Sequence, residues 1–278
     1  MAPGDPFVNE KNMDPTAVAS LKQKFHAGSA WEFLLWYPRN VILHGDFGDS
    51  MQYRGFTVND IIGMSLPVSV TLGLFSLVIA LFVGVGVGTI AAVKRGGVAD
   101  WTSLSIALIG ISLPSFVTAA LLLMFAAWTK VLPAGGWGHL SNLILPGIAL
   151  SMVPMAYIVR LTRVSMLDTL GADFVRTARA KGLSKSIVIW KHCLRNAFLP
   201  VLSYLGPAAA FALTGSFVVE KVFQVPGLGQ HFVDSVRNRD RTLILGVVMV
   251  YSTFLLAFNL LVDLAYAWVD PRIDITAK

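Results

Sequence analysis

RLTRVSMLDTLGADFVRTARAKGLSKSIVIWKHCLRNAFLP, residues 160–200, is a basic, amphipathic connector set between apolar runs that read as membrane spans. Within it, Asp173 to Lys181 predicts a helix with Phe174 and Ala178 on one face and Arg176, Arg179 and Lys181 around it. Gly182 stops that helix, because glycine takes the left-handed conformation that closes a helix end. Ser184 can then cap a second helix, in which Ile187, Trp190 and Leu194 recur at helical spacing. Two short helices joined at a glycine make a knob, and flanking spans would hold it against the bilayer with its turn toward something soluble. By pattern alone, an amphipathic connector lying on anionic lipid fits equally well.

The rest of the chain supports a membrane reading. Of 278 residues, 55% are hydrophobic and 14% charged, and mean hydropathy is +0.67; a soluble domain carries roughly 25% charged residues. The net charge of +6 does not point to nucleic acid, since the basic residues cluster beside apolar runs as the positive-inside rule requires. The single cysteine, Cys193, excludes an internal disulfide and a cysteine metal site, and reads as a small helix residue.

Five spans are expected, approximately Leu66 to Val93, Ser103 to Trp128, Leu143 to Val159, Phe198 to Val219 and Leu243 to Trp268. The third is short and interrupted by Pro146 and Pro154. Lys94 and Arg95, and the eight basic residues from Arg160 to Arg195, place their connectors in the cytoplasm. The stretch from Thr129 to Asn142 holds only Lys130 and is external. The connector from Glu220 to Thr242 sets Lys221, Arg237, Arg239 and Arg241 against Glu220, Asp234 and Asp240 and is also external. This divides the chain into an extracytoplasmic N-terminal segment, 1–63, and a transmembrane domain, 64–278, with a cytoplasmic loop at 160–197. The first 26 residues read as a turn then a helix, HGDFGDSMQYRGFTVNDII reads as an irregular lead into a helix, and the tail DPRIDITAK lies inside.

No residue set supports catalysis. The five histidines form no metal-spaced cluster, and no nucleophile elbow is present. Ser184-Lys185-Ser186 lacks the glycines of a phosphate-binding loop, so ATP is not expected on this chain. Gly84, Gly86 and Gly88 fall in an apolar helix and read as small-residue helix packing rather than a dinucleotide fingerprint. Asp263, with Asn259, lies toward the cytoplasmic end of the last span and, so close to the interface, reads as a structural partner. A secondary carrier would need inverted repeats or titratable groups at mid-membrane, and neither is seen.

Arg176-Thr177-Ala178-Arg179-Ala180-Lys181-Gly182-Leu183, followed by His192, Arg195-Asn196-Ala197 and Leu199-Pro200, resembles the cytoplasmic coupling loop of membrane subunits of bacterial ABC importers. That loop carries a Glu-Ala-Ala…Gly signature and docks into a cleft on the ATPase subunit; Arg176 stands where the general signature has Glu, as in the peptide and nickel branch. His44-Gly45-Asp46-Phe47-Gly48, Leu132-Pro133-Ala134-Gly135-Gly136-Trp137, Leu199 to Tyr204, Asn238-Arg239-Asp240, Asp263-Leu264-Ala265-Tyr266 and Asp270-Pro271-Arg272 extend the resemblance to the B-type subunit of oligopeptide permeases, over essentially the whole chain.

The resemblance implies an all-α integral membrane fold, the type I ABC importer transmembrane subunit, in the bacterial plasma (inner) membrane with the C-terminus cytoplasmic. It implies a homologous C-type permease partner, ABC ATPase subunits that hold the ATP and magnesium, and an extracytoplasmic peptide-binding protein. The substrate implied is oligopeptides, with dipeptides, nickel or glutathione as the alternative. Residues 176–183 would couple to the ATPase. Ser112, Pro114, Ser115 and Phe116, a proline phrase inside the second span, would lie near the translocation path. Pro226, Gly227 and Gly229, in the turn Val225 to Gly229, would lie near the docked binding protein. Because Ala2-Pro3-Gly4-Asp5-Pro6-Phe7 resembles a phrase that follows a first transmembrane helix in that family, a sixth span is expected before Met1.

Overall fold

A computed structural model describes Thr16, Ser20 and residues 30–269 apart from 54 and 215. The readings of the first 26 residues and of the tail after Val269 lie outside these residues. The described chain is helical, with one isolated bridge between Asp49 and Thr57 and no strand among the described residues.

The helices are α1 (Ala30–His44), α2 (Val58–Val93), α3 (Val98–Ser112), α4 (Ser115–Thr129), α5 (Leu140–Leu170), α6 (Asp173–Ala180), α7 (Lys185–Ile187), a π-helix (Val188–Cys193), α8 (Leu194–Ala197), α9 (Leu199–Thr214), α10 (Ser216–Phe223), α11 (Leu228–Asn238) and α12 (Arg241–Val269). Of these, α2, α5 and α12 are each long and apolar enough to cross a membrane. Two further candidate crossings are bent helix pairs: α3 with α4 at 107°, and residues 185–197 with α9 at 55°.

Close contacts give the path of the chain. Phe75 touches Gly147, Ile158 touches Gly84 and Thr162 touches Gly88, so α2 and α5 run parallel. Parallel neighbours require the α3–α4 pair between them to carry the chain back across. Leu213 meets Gly73 while Val201 packs with Ala80, so α9 runs antiparallel to α2. Asn259 meets Gly206, and Leu213 clusters with Leu243, Val247 and Tyr251, so α12 runs antiparallel to α9. The chain therefore traverses the molecule five times, and α12 ends on the same side as the knob.

The expected spans are found with shifted edges, each for a local reason. α2 begins at Val58 rather than near residue 64, because Thr57 and Asp60 form a reciprocal capping box. The boundary drawn at residue 63 therefore falls inside a helix. The second span is broken, not merely kinked: Pro114 forces Leu113 into extended backbone (ψ 123°), which ends α3. The third is longer than read, since α5 runs unbroken through Pro146 and Pro154 to Leu170 and the connector starts as helix. The fourth is helical as α9 to Thr214 and again as α10 from Ser216 to Phe223, on either side of residue 215, which is not among the described residues. In the N-terminal segment, α1 is apolar: Phe33 and Tyr37 are buried, Tyr37 Oη donates to Thr242 O at 2.7 Å, and Trp31, Leu35 and Ile42 stay exposed.

The three glycines of α2 divide by role. A Cβ on Gly84 would sit 2.7 Å from Ile158 Cγ2, and one on Gly88 would sit 2.7 Å from Val159 O, so both must be glycine for α5 to lie this close. Gly86 meets nothing within 4 Å and lines an apolar cavity of about 690 Å³ with Phe82, Trp190, Arg195 and Phe198.

Candidate coupling site and elbow

At the end of α5 the chain turns at Gly171 into α6, whose buried face is Val175 and Ala178. They pack with Met166, Ala92, Val188, Cys193 and Ala197, which joins the knob to the ends of α2 and α5. The face differs by one residue from the expected one: Phe174 is 41% exposed and Val175 is buried in its place. Cys193 is a buried packing residue, as its reading as a small helix residue requires.

The helix end is a Schellman motif. Gly182 has φ +77°, its N–H donates to Arg179 O at 2.9 Å, and Leu183 N donates to Ala178 O at 3.3 Å. Nothing lies within 4 Å of where a Gly182 Cβ would stand, so the glycine answers a backbone demand and not crowding. Arg176, Thr177, Arg179, Ala180, Lys181, Gly182 and Leu183 are all exposed; of the eight residues expected to couple, only Ala178 is spent on packing. The Arg176–Asp173 pair, at 3.6 Å and solvent-exposed, contributes little to stability.

Beyond the turn, Ser184 Oγ accepts from Ile187 N at 3.5 Å and caps α7. The second helix of the knob is not regular: Val188–Cys193 is π-helical, a wide turn that periodicity alone does not announce. Alongside, Asp100 in the first turn of α3 accepts a bidentate pair from Arg163 of α5, with Nη2 to Oδ2 at 2.9 Å, and also accepts from Gly96 N at 2.9 Å. Arg163, read from sequence only as one of the positive-inside residues, thus ties the bent span to α5.

At the opposite end lies an elbow, Val225 to Gly229, between α10 and α11. Gly227 and Gly229 are buried there, so of the three residues assigned to docking only Pro226 presents surface. Both glycines rest on Glu220, which sequence reading had counted among the balancing charges of an external connector. Glu220 and Asp240 are instead fully buried acids. Asp240 accepts from Ser50 Oγ, from Thr242 Oγ1 at 2.9 Å and from Leu243 N at 3.1 Å, binding residues 50–53 to the start of α12. No local signal marked them, since charges at the edges of apolar runs are ordinarily solvated and the side-chain donors Ser69 and Ser50 are remote in sequence.

On the same end, His231 of α11 lies edge-on to Tyr53 at 5.5 Å between ring centroids. Burial pushes its imidazole below the usual histidine value, against the opposing pull of Asp234, and burial pushes the Tyr53 hydroxyl up. The bend residues Ser112, Pro114 and Phe116 are exposed and Ser115 is half-buried, at the corner between α3 and α4. Asp263 is exposed on the outer face of α12. Among the described residues no group of histidine, cysteine or carboxylate side chains could hold a metal ion.

A parallel helix pair ending in an exposed, glycine-terminated knob is matched from residue 84 to 275 by the family described as binding-protein-dependent transport system inner membrane component. The chain belongs to this family. The permease is 42% identical over 277 residues, 99% of the chain and 90% of its relative, to the dipeptide transport system permease protein DppB of Bacillus subtilis. It is also 42% identical over 276 residues, 98% of the chain and 90% of its relative, to the oligopeptide transport system permease protein OppB of Salmonella typhimurium. Its fold resembles a chain of the inward-facing MetNI methionine ABC transporter, with TM-score 0.64 and 16% identity over 76% of the permease and 96% of that chain. A second likeness is to an amino acid ABC transporter, with TM-score 0.56 and 16% identity over 73% of the permease and 92% of that chain. The all-helical type I importer fold expected from sequence is the fold observed.

Proposed function

We propose that this permease forms half of the membrane pathway of an ATP-driven peptide importer in the bacterial inner membrane. The supporting observation is the knob: seven of the eight residues 176–183 are exposed on a turn held by backbone geometry and packed onto α2 and α5. Such a knob suits an ATPase cleft, and the importer then comprises a homologous C-type permease, ATPase subunits carrying ATP and Mg²⁺, and an extracytoplasmic binding protein that approaches the elbow around Pro226. In this reading the knob and the C-terminus are cytoplasmic. ATP-driven closure of the ATPases moves the knob as a body, and the spans at its two sides reorient with it. Coupling requires the ATPase to hold the knob differently in its two states, since equal contact shifts no equilibrium. Ser112, Pro114, Ser115 and Phe116 line part of the pathway where the second span bends.

The substrate is peptide, on the strength of what the two 42% relatives are named for, one for dipeptides and one for oligopeptides. Oligopeptides are the primary assignment and dipeptides the second. The test is ATP-dependent uptake into proteoliposomes by the complete importer, with labelled di-, tri- and pentapeptides beside nickel. Accumulation of the longer peptides is expected. Accumulation of nickel alone, or uptake without ATP, would overturn the peptide importer.

A further inference from the structure

We infer that Glu220 is a positioning residue: its buried carboxylate fixes the elbow and α11 onto α2, so that a partner docking outside moves the spans. This rests on the importer reading above. Glu220 Oε1 accepts from Ser69 Oγ at 2.7 Å, Oε2 accepts from Gly229 N at 2.8 Å, and Ser69 Oγ in turn accepts from Leu228 N at 2.8 Å. The first two amides of α11 are thus satisfied by one carboxylate and the hydroxyl it holds. The positive end of the α11 dipole faces this carboxyl group, burial pushes its pKa above the usual carboxylate value, and no cation pairs with it among the described residues.

The backbone of α10 closes the other side. Val225 N donates to Glu220 O at 2.9 Å and Gln230 Nε2 donates to that oxygen at 3.0 Å, so Glu220 holds the elbow by its main chain as well. A Cβ at Gly227 would lie 2.4 Å from the Glu220 carboxyl carbon, and one at Gly229 would lie 2.6 Å from Phe217 Cα. The elbow glycines therefore serve approach to Glu220 rather than an outer surface. Phe217 stacks near Phe232 of α11 and Tyr251 of α12, at 4.8 and 5.1 Å between centroids, which carries the attachment to the last span.

A carboxyl group buried at 0% exposure is a costly way to hold a turn, and an apolar residue of similar volume would pack with less penalty. What an apolar residue cannot do is set the rotation and register of α11 by taking two of its amides. That directional hold is the property a docking-driven movement needs.

The test uses the assembled importer in nanodiscs with its binding protein, and the variants Glu220→Ala, Glu220→Gln and Ser69→Ala. Basal ATP hydrolysis should be unchanged, while stimulation by the peptide-loaded binding protein falls roughly tenfold in Glu220→Ala, a loss typical of coupling between distant sites. Glu220→Gln should recover part of it, because one carbonyl oxygen can still accept. Wild-type stimulation in Glu220→Ala, or parallel loss of basal and stimulated rates in all three variants, would overturn the role. A second measurement is independent of transport. Leu228→Cys, at a fully buried position, should resist an impermeant maleimide in the parent and react in the Glu220→Ala background. Equal protection in both would overturn the inference even if the importer reading stands. A parent complex that takes up no peptide would sink the importer reading and leave the labelling result intact.

Discussion

Gly182 shows how much one backbone angle decides. Its φ of +77° with open space around it separates conformational strain from steric clash. Gly182→Asn, which tolerates the left-handed region, should keep uptake near wild type; Gly182→Val should cost about 1–2 kcal/mol in knob geometry and reduce ATP-dependent uptake about 5–30-fold with normal membrane insertion. Wild-type uptake by the valine variant would refute the coupling role. His231 makes a second residue-scale prediction. Its folded value lies below the unfolded one because burial disfavours the cation, so the contribution of neutral His231 is complete above about pH 6.5 and declines as pH falls below that. His231→Gln should therefore lose less melting temperature than the parent between pH 7.5 and pH 5.5. An equal loss in both proteins would remove His231 from the account.

At the scale of elements, two attachments hold irregular segments in place. The α3–α4 pair is bent by 107°, and its knob-side end is tied by the Arg163–Asp100 fork. Arg163→Gln should lower the melting temperature in detergent by leaving a nearly buried carboxylate unpaired, and Arg163→Lys should restore only part, since an ammonium cannot donate the planar pair. An unchanged midpoint in both variants would make the fork ornamental. What was legible in the sequence follows the same division. Gly182, Ser184 and the five apolar runs announced themselves because turn chemistry, capping and burial are local demands. The bend at Leu113-Pro114 was visible only as a proline, since the angle depends on what α4 packs against. The π-turn at 188–193 was hidden, because wide and regular turns share the same apolar spacing over six residues. Glu220 and Asp240 were read as connector charges because their hydrogen-bond donors, Ser69 and Ser50, lie more than 150 residues away.

At the scale of the whole molecule, the knob and the elbow occupy opposite ends, joined by α2 and α5 running in parallel. The pair is fastened at two levels, by Phe75 against Gly147 nearer the elbow and by Gly84 and Gly88 against Ile158 and Thr162 nearer the knob. Between the two levels sits Pro154, which has no N–H to return to the carbonyl of Leu150 and so leaves one turn of α5 with a missing rung. Stiffness is therefore uneven along the column. The seventeen residues from Pro154 to Leu170 span about 24 Å at 1.5 Å of rise per residue, and they are braced by α2 over much of that length. A torque entering beside Leu170 would meet a splinted shaft first, and then a weakened turn at Pro154 near the middle of the molecule.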